Sequence, residues 1–136
     1  DFQQSWHVSR QLNIGMWADD AAHPIDLMRW LFGSPKTLYA DIDTLVNPEV
    51  PDDNGIAIFR YDSGLFAEIQ CSFTSDFGET TTELVGTNGM LIQYYGATGA
   101  YGPPSADEYL DSLKMTLLCY ESSSQKKQIV LRDYAN

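Results

Sequence analysis

Asp19-Asp20-Ala21-Ala22-His23-Pro24-Ile25-Asp26-Leu27-Met28-Arg29-Trp30-Leu31-Phe32-Gly33 is the stretch on which the reading of this chain turns. Ile25, Met28, Leu31 and Phe32 recur at three- and four-residue intervals, the period of a helix with one covered face, and Gly33-Ser34-Pro35 is a stop signal. Pro24 has no backbone N–H to donate and biases His23 away from helical torsions, so the spacing predicts a regular helix that begins close to His23. Asp19 and Asp20 fall where short carboxylates cap free amides and meet the positive end of the helix dipole. His23 is one of only two histidines. A carboxylate four positions before an imidazole can accept its N–H and stabilise its charged form, which suits proton transfer near neutral pH. The same spacing also describes a capping acid beside an ordinary surface histidine.

Beyond Pro35 the periodicity changes from that of a helix to that of strands. Between Lys36 and Val46, Leu38, Ala40 and Ile42 alternate with Tyr39, Asp41 and Asp43, a strand with one covered face on which the two acids share the wet side. Residues Asn47 to Gly55 form a loop rich in turn formers and long enough to reach a pocket rim. Ile56–Tyr61 and Leu65–Phe73 flank Asp62-Ser63-Gly64 as a hairpin, and Thr80–Val85 and Met90–Tyr95 flank Gly86-Thr87-Asn88-Gly89 as another. Gly96 to Pro104 has the wrong glycine spacing for a phosphate cradle and reads as a surface loop. Ser105–Lys114 suggests a short helix with Tyr109, Leu110 and Leu113 covered, and Met115–Tyr120 with Gln128–Leu131 a final hairpin around Ser122–Lys127.

Roughly seven strands in hairpin order with one long early helix predict an α+β fold: an open, mostly antiparallel β-sheet with helices packed on one face. With 136 residues, 43% of them hydrophobic and 20% charged, the chain reads as one globular domain, 1–136. A net charge of -11 argues against nucleic acid or an anionic membrane as partner. No stretch reaches the roughly 18 uninterrupted apolar residues of a membrane span, and Asp1–Ser5 lacks the basic start and apolar run of a signal peptide, so the expected location is cytoplasmic. Cys71 and Cys119 read as buried free thiols, and no Cys-x-x-Cys pair suggests a metal site. Residues 1–18 are too short in pattern to assign, and His7 reads as a surface or interdomain histidine outside the site.

The opening segment resembles the start of the C-terminal domain in the GFO/IDH/MocA family of nicotinamide-dependent oxidoreductases. The family's pattern runs acid, any residue, glycine, any residue, histidine, two residues, Asp-Leu, and later Trp-Leu-Phe-Gly-x-Pro. This chain supplies Asp19, His23, Asp26-Leu27 and Trp30-Leu31-Phe32-Gly33-Ser34-Pro35. Ala21 stands in place of the usual glycine, and Met16-Trp17-Ala18 in place of much of a glycine-rich approach of which Gly15 remains. The turn Gly86-Thr87-Asn88-Gly89 also resembles one in the family's large sheet, so the likeness extends from about Gly15 to Tyr95.

The resemblance implies a fold like the C-terminal domain of glyceraldehyde-3-phosphate dehydrogenase and an NAD(P)-dependent oxidoreductase acting on the CH–OH group of a sugar, polyol or related carbohydrate. His23 would be the acid/base and Asp19 would orient or bind substrate, with Asp20 and Trp17 as further substrate contacts. NAD or NADP would be held by a separate Rossmann domain, absent from this sequence, which has no Gly-x-Gly-x-x-Gly and no Glu-Lys-Pro; the isolated domain would bind no cofactor and be inactive. The sheet face implies a homodimer or tetramer. A noncatalytic oligomerisation or sugar-binding domain on the same fold is the alternative, and a metal-dependent isomerase or hydrolase using Asp19, Asp20, His23 and Asp26 is a third reading that the shortage of histidines disfavours.

Overall fold

The computed structural model describes residues 6–74, 80–94 and 106–134. The glycine-rich stretch 96–104 and the amino-terminal residues 1–5 lie outside these.

The first helix, α1 (Ala22–Phe32), starts where Pro24 predicts, but the chain is already helical before it: Trp17–Ala21 forms a π-helical turn that runs directly into α1. Pro24 cannot bond to the carbonyl one α-turn earlier, and the wider winding falls in the turn just before it. Asp19 and Asp20 are therefore inside a helical turn rather than ahead of it, and no side chain caps either segment. Ile25 and Met28 are buried as the period requires, whereas Leu31 and Phe32 remain 40% and 39% exposed. The Gly33 amide donates to the Arg29 carbonyl at 2.8 Å and closes the helix.

Strands β1 (Thr37–Asp43), β2 (Asn54–Arg60), β3 (Phe66–Ser72) and the short β6 (Ile129–Val130) make a four-stranded antiparallel sheet in the order β3-β2-β1-β6. Strands β4 (Thr81–Gly86) and β5 (Gly89–Tyr94) pair as a separate hairpin around Thr87-Asn88. Leu38, Ala40, Ala57, Phe59 and Ile69 turn to the helices, where Met16, Trp17, Ile25, Met28, Met115, Leu118 and Cys119 complete the core. Tyr39, Ile56, Ile58 and Phe66 lie on the opposite, exposed face with Asp41, Glu68 and Gln70. The architecture is the expected α+β one, an open antiparallel sheet with its helices on one side.

The expected final hairpin is mostly helix. A single helix, α2 (Ala106–Gln125), runs through Met115–Tyr120, leaving only Ile129–Val130 as strand. Leu110 is 59% exposed, and Ser112, Met115, Thr116, Cys119, Ser122 and Ser123 form the covered stripe at helical spacing. Small hydroxyls suit that stripe because each finds a partner. Ser122 Oγ accepts from the Ala40 amide at 3.0 Å and donates to the Lys127 carbonyl, while Ser123 Oγ accepts from the Ile42 amide at 2.8 Å and donates to its carbonyl at 3.1 Å. Where β6 ends, these two serines take the place of a fourth strand along β1 and cover an edge that would otherwise be open. Both cysteines are free; Cys119 is buried and Cys71 half-buried.

Candidate active site

The π-turn and the first turn of α1 carry Asp19, Asp20 and His23 at one end of the helical layer. Beneath them the turn is anchored by Asp52, which comes from the loop before β2. Asp52 Oδ1 accepts the Trp17 amide at 2.8 Å, Oδ2 accepts the Tyr120 hydroxyl at 2.9 Å, and that hydroxyl accepts the Ala18 amide at 3.1 Å. The loop, the π-turn and α2 thus meet on one carboxylate. Gly15, with φ 152, passes so close that a Cβ there would stand 1.7 Å from Asp52 Oδ2, so only glycine admits this approach. Burial pushes the Asp52 carboxyl above its usual range and the Asp53 charge adds to this, although the bonds from Trp17 and Tyr120 oppose it. Burial, then the Asp52 charge, raises the Tyr120 phenol as well.

Trp17, expected as a substrate contact, is wholly buried. Its ring packs on Gly55, where a Cβ would come within 2.6 Å of Cε3. Its indole nitrogen is buried without a hydrogen-bond partner among the described residues, and burial pushes the Cys119 thiol up to about 12. Trp17 therefore supports the turn from the core side. Ala21 is also fully buried and has ordinary right-handed helical torsions, so this position places no demand for glycine.

The imidazole beside Asp19 is not the one four residues on. His7 Nε2 lies 3.7 Å from Asp19 Oδ2, within ion-pairing reach when the ring is protonated. Asn13 Nδ2 approaches the same oxygen at 3.4 Å. His23, on the first turn of α1, is exposed, and among the described residues no hydrogen bond joins it to Asp19. Asp20 is the residue that senses both rings: burial raises its carboxyl pKa, the Asp19 charge raises it further, and His23 and His7 pull it back. On the neighbouring β3, burial together with the Asp20 charge holds the Cys71 thiol up at about 12, so it stays protonated.

His7, Asn13, Asp52 and Tyr120 were not legible as site or support residues. Only Asn13-Ile14-Gly15 carried a local signal, an asparagine two residues before a glycine that favours a tight turn. Pro51 of the Asn47–Gly55 loop lines an open surface depression with Arg10, Gln11, Leu12, Asn13 and Ile14. Asp26, considered above as a metal ligand, accepts the Ser112 hydroxyl at 2.7 Å. Among the described residues no three His, Cys, Asp or Glu side chains converge as a metal site, and no helix is long and apolar enough to cross a membrane.

Residues 1–92 match the sequence model of the GFO/IDH/MocA C-terminal domain. The chain belongs to this family. No curated protein sequence matches it. Among solved structures, it is similar to GenD2 from gentamicin A biosynthesis in complex with NAD, with TM-score 0.76 and 16% identity over 92% of this chain and 50% of that one. It is also similar to the WlbA dehydrogenase from Bordetella pertussis in complex with NADH and UDP-GlcNAcA, with TM-score 0.74 and 20% identity over 93% and 48%. A myo-inositol dehydrogenase from Corynebacterium glutamicum shares TM-score 0.74 and 15% identity over 86% and 49%. At these identities the likeness is one of fold. This GFO/IDH/MocA domain spans about half the length of the structures it matches.

Proposed function

We propose that this chain is the substrate-binding and oligomerisation half of an NAD(P)-dependent oxidoreductase that acts on the CH–OH group of a sugar, a polyol or a related carbohydrate. The observation that carries the reading is the gathering of Asp19, Asp20 and His23 at the entrance of α1 in a domain of the GFO/IDH/MocA family. The site offers hydrogen-bonding acids and an accessible imidazole, a set suited to neutral hydroxyl groups. His23 takes the proton of the reacting hydroxyl as general base and returns it in the reverse direction. Asp19 accepts a hydrogen bond from a substrate hydroxyl and orients the carbinol, and Asp20 contacts the same ligand from the next position. Trp17 acts from beneath, through the shape of the turn.

The four-stranded sheet is antiparallel throughout and offers no βαβ cradle among the described residues, so a dinucleotide would be held by another domain. A nicotinamide held there would supply the hydride acceptor, while this chain's own residues bind the carbinol and move its proton. The exposed sheet face with Tyr39, Ile56, Ile58 and Phe66 supports assembly as a homodimer or tetramer, which light scattering of the full-length protein would check.

The deciding experiment is turnover by the full-length protein with NAD+ and NADP+ on a panel of sugars, polyols and UDP-sugars, comparing wild type with His23→Ala. The expected result is a loss of about a hundredfold or more in kcat in a folded variant. No turnover in wild type, or wild-type turnover in His23→Ala, overturns the reading and leaves the noncatalytic sugar-binding or assembly domain in its place.

A further inference from the structure

Asp19 is held by the segment that precedes its own turn, through one amide side chain. Asn13 Nδ2 donates to the His7 carbonyl at 2.8 Å and to Asp19 Oδ2 at 3.4 Å, and Asn13 Oδ1 accepts the Gly15 amide at 3.2 Å. The His7 ring, stacked on Trp6 with centroids 3.9 Å apart, brings Nε2 to 3.7 Å from the same Asp19 oxygen. An asparagine amide has two N–H donors and one carbonyl acceptor, and here both ends are engaged. Turned over, its oxygen would face a carboxylate and a carbonyl, lone pair against lone pair, so the network admits one orientation.

We propose that Asn13 is a positioning residue of the site: it fixes the Asp19 carboxylate and, by bonding the His7 backbone, sets a second imidazole against it. This rests on the reading of Asp19 and His23 as the site. Asn13 is half-buried, which limits competition from water for these bonds. Small displacements of an orienting carboxylate are costly to a reaction that depends on alignment.

Two substitutions separate positioning from a role in turn shape alone. Asn13→Asp keeps the acceptor for the Gly15 amide but replaces the donor with an oxygen facing Asp19; Asn13→Ala removes both. If Asn13 only shapes the turn, Asn13→Asp, which keeps the bond from the Gly15 amide and loses the one to the His7 carbonyl, is milder than Asn13→Ala. If it positions Asp19, Asn13→Asp is at least as damaging as Asn13→Ala. In the full-length enzyme, with the cofactor and the panel substrate turned over fastest, the expected result for Asn13→Asp is a loss of about tenfold or more in kcat with a smaller change in KM. Wild-type kcat in Asn13→Asp beside an inactive His23→Ala overturns this inference and leaves the site reading standing. A wild-type protein without turnover, or an active His23→Ala, removes that reading and this inference with it. Should Asn13→Asp fail to fold, a double-mutant cycle of Asn13→Ala with Asp19→Asn decides: if Asn13 acts through Asp19, removing it costs little further kcat once the Asp19 carboxylate is gone, and fully additive losses overturn the inference.

Discussion

The dipeptide Asp-Asp occurs twice in this chain, at Asp19-Asp20 and at Asp52-Asp53, and folding puts the two pairs to opposite uses. Asp19 and Asp20 sit in the π-turn with partial or open access to water, beside two imidazoles. Asp52 and Asp53 are 4% and 0% exposed. Within the buried pair the two members also differ. Asp53 accepts the amides of Leu45, Val46 and Asn47 at 2.7, 2.9 and 2.7 Å and the side-chain amide of Asn54 at 2.9 Å. Burial pushes its carboxyl up, but these donors together outweigh it and hold the pKa at about 2. Asp52 accepts only the Trp17 amide and the Tyr120 hydroxyl, and burial, with the Asp53 charge, raises its pKa instead. A carboxylate out of reach of water keeps its charge where enough N–H groups are aimed at it to offset the desolvation.

The sharpest way to break this comparison is Asp53→Ala. It strips the partner from three backbone amides in a loop that the carboxylate organises, and a destabilisation of about 3 kcal/mol is expected. Urea titration of the full-length protein, followed by tryptophan fluorescence for the transition that exposes Trp17, measures it. A change under about 1 kcal/mol would mean that water replaces the carboxylate without loss.

The next effect is one of sign with pH. Asp53, lowered from 3.8 to about 2, contributes stability that is in place above the unfolded value and is lost as pH falls from about 4 through about 2. Asp52, raised by burial, does the reverse: its contribution is complete below the unfolded value and declines as pH rises through the folded one. Urea midpoints between about pH 2 and 7 should therefore lose part of their acid-side fall in Asp53→Asn, and lose part of any decline on the neutral side in Asp52→Asn. Equal profiles in the two variants would erase the distinction between the neighbours.

The smallest effect belongs to the other pair. Asp20→Asn removes a carboxylate that sits beside the Asp19 charge, so stability should stay within about 0.5 kcal/mol of wild type, while the turnover proposed for the full-length protein is expected to fall. A loss of stability comparable to that of Asp53→Ala would show that Asp20 is structural too.

Much of the fold was readable because its signals are local. The apolar period of α1, the stop at Gly33, the alternation along β1 and the glycine-bounded turn at Thr87-Asn88 each declare themselves within a few residues, and the open sheet with helices on one face follows from their order. Helix α2 was misread for a physical reason. Met115–Tyr120 is a short apolar run, which a strand and a buried helix share, and the flanking covered stripe is built from Ser112, Thr116, Ser122 and Ser123, residues that hydropathy assigns to water. Apart from Thr116, which donates to the Ser112 carbonyl of its own helix, their burial depends on backbone groups of β1 and on Asp26 and Arg29, all remote in sequence.

By itself, then, the sequence determined the helix entrance, its acids and His23, and the strand pattern that buries one face of a sheet, because these follow from spacing along a chain of fixed geometry. Tertiary structure alone decided that His7 and Asn13, rather than His23, stand against Asp19. It also decided that Asp52 and Tyr120, 68 residues apart, share a proton donor and acceptor under the π-turn. Such pairings depend on which loops close on which helices, and no local period records that choice.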